Sequence, residues 1–181
     1  MPELEGPPEP WRSFFDELDR SLVEPVELHC LGGFAVIHAY GIGRTTNDID
    51  VISLVPLPML ARVCEAGGQG SELHKKHRLY LEFVALATPP EDYLSRLIPL
   101  FPGIWQNVRL FALEAHDLAL TKLERNYERD REDVQRLAQA GHLNREVLTT
   151  RYQQELRPYL TRERWHDQTL QMWTEVCWPD E

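Results

Sequence analysis

The sequence predicts an α/β (α+β) protein whose front alternates strands with helices and whose back is all-α, the change falling near residue 114. Three observations predict it. Short apolar runs at 26–31, 48–52 and 108–113 are bounded by Gly, Pro and polar residues, as strands are. Stretches with apolar residues three and four apart lie between them, as amphipathic helices require. From Glu114 to Trp178 the helical spacing persists, with breaks near Gly141 and Pro158. With 181 residues, 43% hydrophobic and 27% charged, the chain carries enough apolar material to bury a core.

Taken in order, residues 1–10 hold four prolines and three glutamates and read as a flexible acidic tail. Trp11, Phe14, Phe15, Leu18 and Leu22 follow at helical spacing, and Pro25 ends that helix. Val26 to Leu31 reads as a strand running into Gly32-Gly33, after which FAVIHAY reads as a helix. A loop through Gly41, Gly43, Arg44, Thr45 and Thr46 leads to a strand from Asp48 to Ile52. Pro56 to Ala66 is expected to be helical, with proline near its start where a missing N–H does no harm. Residues 72–86 suggest a hairpin or two short strands, and PPEDYLSRLIPL has the look of a helix start. Val108 to Leu113 completes the strands, giving a core over 11–113 and a helical subdomain over 114–181.

Charge narrows the function classes. There are 29 acidic and 19 basic residues, a formal net of −10, and the excess is concentrated at the start: residues 1–27 hold eight acids and two bases. Such a balance argues against extended, non-specific binding along DNA, while a locally positive pocket stays open. No apolar run is long enough to cross a bilayer, and the acidic, Pro-rich start does not resemble a signal peptide. Three widely spaced cysteines, Cys30, Cys64 and Cys177, suit a reducing compartment, so a cytoplasmic protein is expected.

The strongest chemical signal is Asp48-x-Asp50. Residues two apart on a strand share a face, so both carboxylates point one way. Two adjacent carboxylates repel unless a cation lies between them, and Mg2+ (or Mn2+) is the hard ion that oxygen donors suit. An incidental pair at a solvated strand end is the bland alternative. Gly32-Gly33 between a strand and a helix offers open N–H groups at a positive helix terminus, a cradle for phosphate, or else a tight turn needing a positive φ. Arg44, Thr45 and Thr46 supply phosphate or ribose contacts. Together these describe a site for a nucleoside triphosphate with its metal.

Group transfer calls for a third acid. In RLYLEFVAL, alternation puts Tyr80 and Glu82 on one face and Leu79, Leu81 and Phe83 on the other, so Glu82 is the lone charge of an apolar strand. Asp92 is the alternative. Lys122, Arg125 and Arg129 fall at helical spacing as one cationic face, with Asp130 and Asp133 placed to hold them. Apolar neighbours set Lys122 apart: it projects towards a pocket or snorkels to solvent. His74-x-x-His77 sits in a basic stretch but lacks the further ligands of a zinc site.

Leu31-Gly32-Gly33, Arg44-Thr45-Thr46-Asn47-Asp48-Ile49-Asp50, Asp117 to Lys122 and Arg129-Asp130-x-x-Asp133 form a series that resembles the minimal nucleotidyltransferases of the DNA polymerase β superfamily. The nearest branch is similar to the bacterial group related to AbiEii-type toxins of type IV toxin–antitoxin systems, over roughly residues 26–140. The resemblance implies a small mixed β-sheet flanked by helices, with a helical C-terminal part. It implies that Gly32 and Gly33 bind triphosphate, that Asp48 and Asp50 hold two metal ions with Glu82 as third carboxylate, and that Lys122 contacts phosphate. The implied reaction moves a nucleoside monophosphate to an acceptor hydroxyl on RNA, protein or a small molecule. An antitoxin protein is the implied partner. Gly33 stands where many members have serine, and Glu82 where aspartate is commoner. A rival reading keeps the fold as an inactive nucleotide-binding or protein-interaction module, which predicts binding without pyrophosphate release.

Overall fold

Helix α1 (Trp11–Ser21) buries Phe14, Phe15 and Leu18, residues whose three- and four-residue spacing places them on one face. The computed structural model of the protein describes residues 6–43, 45–85 and 87–179. Within these the chain forms two compact units. The first contains the chain up to Ala85 together with Leu97–Ala112, and the second contains the segment ending at Arg96 together with everything from Leu113.

The first unit holds a five-stranded mixed sheet, built from β1 (Val26–Cys30), β2 (Asp48–Val55), β3 (Tyr80–Phe83), β4 (Ile98–Leu100) and β5 (Val108–Ala112) in the order β3-β2-β1-β5-β4. β1 runs antiparallel to β2 and parallel to β5, β2 runs parallel to β3, and β4 closes the far edge antiparallel to β5. Helix α2 (Gly32–Tyr40) follows β1 directly, and α3 (Leu60–Gly67) and α4 (Glu72–His77) connect β2 to β3. The core includes Phe14, Phe15, Leu28, Phe34, Ile49 and Val51, none with measurable exposure. The Asp19 carboxylate accepts the N–H groups of Asn107 and Val108 at 2.6 and 2.8 Å, tying α1 to the start of β5.

The expected strand at the start of 72–86 is instead helix α4, and β3 pairs parallel with β2 rather than in a hairpin. The reason is local. The Ser71 hydroxyl accepts the His74 N–H at 3.1 Å as an N-cap, Glu72 occupies the first turn, and His74, Lys75, Lys76 and His77 fill the last, where cations favour a helix. The expected helix at PPEDYLSRLIPL is replaced by a 3-10 turn over Tyr93–Arg96 and the short strand β4. Pro99, which has no N–H to donate, is tolerated there because β4 is an edge strand.

The second unit is helical: α5 (Ala115–Thr121), α6 (Glu128–Gln139), α7 (Arg145–Arg151) and α8 (Glu163–Cys177). The continuous cationic face of Lys122, Arg125 and Arg129 does not form, because α5 ends at Thr121 and α6 begins at Glu128. The Asp130 carboxylate accepts the Tyr127 N–H at 3.0 Å and so starts a new helix. Asp117 is fully buried and accepts Arg96 at 2.8 and 3.0 Å and Arg151 at 3.0 Å. Glu114 caps α5 through the His116 N–H and pairs with the Arg151 guanidinium and the His116 ring.

Burial raises the Glu114 carboxyl, but the His116 imidazole and the Arg151 guanidinium outweigh it and hold the group at about 2, against an ordinary 4.5. A depressed carboxylate stabilises the fold above its unfolded pKa and loses that contribution as acid protonates it. The urea midpoint is therefore expected to fall as pH drops from about 4.5 towards 2. Glu114→Gln should be less stable at pH 7 and show a shallower loss over that window, measured by circular dichroism.

Candidate active site

The local sequence sets the direction of every side chain at the start of β2. Ile49 and Val51 are fully buried, so pleating turns Asp48 and Asp50 to the opposite face, where both are half-buried. Leu79, just before β3, and Leu81 on it enter the core at 2% and 3% exposure, which turns Tyr80 and the exposed Glu82 outward. The parallel register then pairs Asp48 with Tyr80 and Asp50 with Glu82. One carboxylate oxygen from each of Asp48, Asp50 and Glu82 lies within 4.8 Å of the others.

Three anionic groups at this spacing repel by about 1 kcal/mol per pair in water and about 4 at the effective dielectric of a protein surface. A divalent cation reverses the sign of that interaction. The donor set is all carboxylate oxygen, which fits Mg2+ or Mn2+ and does not fit a thiolate-loving metal. The Cys30 thiol, fully buried behind the cluster, is pushed up by burial and further by the Asp50 charge, so it stays a neutral thiol. The pairing of β1 with β2 slips one residue between His29 and Cys30, a bulge beside the acidic cluster. Burial also raises the Tyr80 phenol, and the charges of Glu82, Asp48 and Asp50 add to it.

The loop residues close around the acids. Gly32 has φ +67°, and a Cβ there would overlap the Asp50 carboxylate, so glycine is demanded both by conformation and by space. Gly33 faces Thr46, whose Cβ would lie 3.2 Å from an added methyl. The Thr46 hydroxyl donates to the Asp48 carboxylate and lies 3.3 Å from its main-chain oxygen, fixing the first acid of the strand. The Leu31 N–H donates to the Asp50 carbonyl at 3.0 Å, locking the turn to β2.

Of the residues expected to form a site, the structure brings together Asp48, Asp50 and Glu82, with Gly32, Gly33 and Thr46 against them. Arg44 lies outside the described residues. Lys122 belongs to the second unit, where it is 4% exposed and donates to Asp133 at 2.9 Å and Asp130 at 3.5 Å. Arg125 shares Asp130 at 2.6 and 2.8 Å, so the expected holding role of the two aspartates is observed. Asp92 is not in the acidic cluster; its N–H faces Glu155 at 3.4 Å. Tyr80 and Cys30 are neighbours of the cluster that sequence reasoning passed over, although the alternation already put Tyr80 on the face of Glu82.

A family described as nucleotidyltransferase of unknown function (DUF6036) matches residues 15–177, and the chain belongs to it. No curated protein and no solved structure matches the chain. Among the described residues no helix is long and apolar enough to cross a membrane.

Gly32→Ala is expected to cost about 1–2 kcal/mol in backbone strain alone and to drive the Asp50 carboxylate out of the cluster. Binding of Mn2+, followed by electron paramagnetic resonance, should fall steeply in this variant, whereas Gly41→Ala, where no atom lies within 4 Å of the new methyl, should leave it intact.

Proposed function

We propose that this protein is a divalent-cation-dependent nucleotidyltransferase that moves a nucleoside monophosphate from a nucleoside triphosphate to an acceptor hydroxyl. The observation that carries the reading is the convergence of Asp48, Asp50 and Glu82 across the parallel β2–β3 pair, in front of the Gly32 turn. Membership of a nucleotidyltransferase family over residues 15–177 supports the reaction class.

Asp48, Asp50 and Glu82 would hold Mg2+ or Mn2+, which when bound neutralises the triphosphate and stabilises the attacking and leaving oxygens. Thr46 keeps the Asp48 carboxylate oriented, and Gly32 leaves the Asp50 carboxylate its room. The backbone N–H groups at the start of the nine-residue α2 favour the anionic triphosphate. Arg44 supplies further positive charge to phosphate. Glu82, the most exposed of the three acids, accepts the proton of the acceptor hydroxyl. The acceptor oxygen bonds to the α-phosphorus, the bond from that phosphorus to the β-phosphate bridging oxygen breaks, and pyrophosphate leaves. An acceptor on RNA or protein, an AbiEii-like toxin role in a bacterium and an antitoxin partner rest on the motif series from Gly32 to Asp133, and a cytoplasmic setting rests on the three dispersed cysteines and the acidic, Pro-rich start.

Calorimetric titration with α,β-methylene nucleoside triphosphates, with and without Mg2+, tests the reading. Mg2+-dependent binding is expected for wild type, and Asp48→Asn, Asp50→Asn and Glu82→Gln should each weaken it by more than the roughly 10–100-fold that losing a hydrogen-bond partner of a metal ligand costs. Release of pyrophosphate with an RNA or protein acceptor should disappear in the same variants. Binding without any release would favour the inactive-module alternative, and no binding of any of the four nucleotides by folded wild type would overturn the proposal.

A further inference from the structure

Four side chains, not three, occupy the outward face where β2 meets β3. The register pairs Asp48 with Tyr80 and Asp50 with Glu82; adjacent strands lie about 4.8 Å apart and residues two apart on a strand about 6.6 Å apart, so the four form a rectangle with Tyr80 at one corner. The other three corners are carboxylates, which when ionised only accept hydrogen bonds. A phenol is protonated at neutral pH and donates.

The Tyr80 ring is held in place from outside the strand. The His74 ring stands edge-on to it, with centroids 4.9 Å apart and planes at 61°. His74 is itself fixed at both ends: its N–H is capped by the Ser71 hydroxyl, and its Nδ1 accepts the Gly70 N–H at 2.9 Å. A neutral His74 therefore carries its proton on Nε2. The glycine-rich turn and α4 thus act as a buttress for one aromatic ring beside the acids, a role for the His74 stretch that the metal cluster alone does not require.

We propose that Tyr80 contacts substrate, its hydroxyl donating a hydrogen bond to a non-bridging phosphate oxygen of the nucleotide bound at the Asp48–Asp50–Glu82 cluster. The inference rests on the nucleotidyltransferase reading and adds a specificity residue to it. A phosphate placed against three carboxylates needs donors as well as cations, and among the four residues of the rectangle Tyr80 is the one whose side chain has a proton to give. The rigid strand and the His74 buttress hold that donor without further ordering when substrate arrives.

The test separates the metal from the nucleotide. Wild type, Tyr80→Phe and Glu82→Gln are titrated first with Mn2+ alone, then with an α,β-methylene nucleoside triphosphate at saturating Mn2+, and their thermal midpoints are compared. Tyr80→Phe is expected to bind Mn2+ as wild type does and to melt at the same temperature, while its nucleotide affinity drops about tenfold, as loss of one charge-assisted hydrogen bond requires. Glu82→Gln is expected to lose Mn2+ and nucleotide together. If Tyr80→Phe binds nucleotide as tightly as wild type, this inference falls and the nucleotidyltransferase reading stands. Loss of Mn2+ binding in Tyr80→Phe would also overturn it, because the hydroxyl would then be shaping the carboxylates rather than touching substrate. If wild type binds Mn2+ but no nucleotide, the reading and the inference fall together.

Discussion

The parallel pairing of β2 with β3 is the constraint on which the acidic site depends. Its register sets Asp50 opposite Glu82, and a slip of one residue would carry Glu82 into the core and bring Leu81 to the surface. What holds the register is burial. Ile49, Val51, Leu79 and Leu81 each contribute about 1.5–3 kcal/mol by leaving water, whereas the carboxylates repel by about 1–4 kcal/mol per pair. The apolar side of the strands outweighs the acidic side, so the cluster can be assembled before any cation arrives. The same balance explains the close turn at Gly32: once Asp50 is fixed by its strand, the chain leaving β1 must pass it without a side chain.

Much of this site was legible in the sequence because it is local. Asp48-x-Asp50 on a strand and Gly32-Gly33 between strand and helix are short-range patterns, and the alternation around Glu82 marked it as a polar residue facing away from the core. What could not be read was the partner of β3. The segment ELHKKH has neither a two-residue nor a 3.6-residue apolar period, and its helix is specified by the Ser71 cap and a charged last turn. Taken as a strand, it suggested a hairpin; as a helix, it completes a crossover that permits parallel pairing. β4 was hidden for a related reason, being three residues long with proline at its centre.

The second unit is organised around buried charge. Asp117 accepts two guanidiniums, and Lys122 donates to Asp133 and shares Asp130 with Arg125. Desolvation offsets most of what such pairs gain, yet removing one partner strands the other, so they restrict the packing of α5, α6 and α7 more than they add net stability. The helical spacing of 122, 125 and 129 suggested one cationic surface; the break at 122–127 instead turns Lys122 inward to aspartates. Periodicity cannot reveal such a break, because its signal is a side chain reaching back to a backbone N–H, here Asp130 to Tyr127.

The most direct test of the central claim is a crystal structure of the protein grown with Mn2+ and an α,β-methylene nucleoside triphosphate, with anomalous scattering used to locate the metal. The account predicts a Mn2+ peak ligated by oxygens of Asp48, Asp50 and Glu82, with the triphosphate reaching it from the Gly32 side. Manganese and nucleotide bound elsewhere, with the three carboxylates facing water, would contradict it.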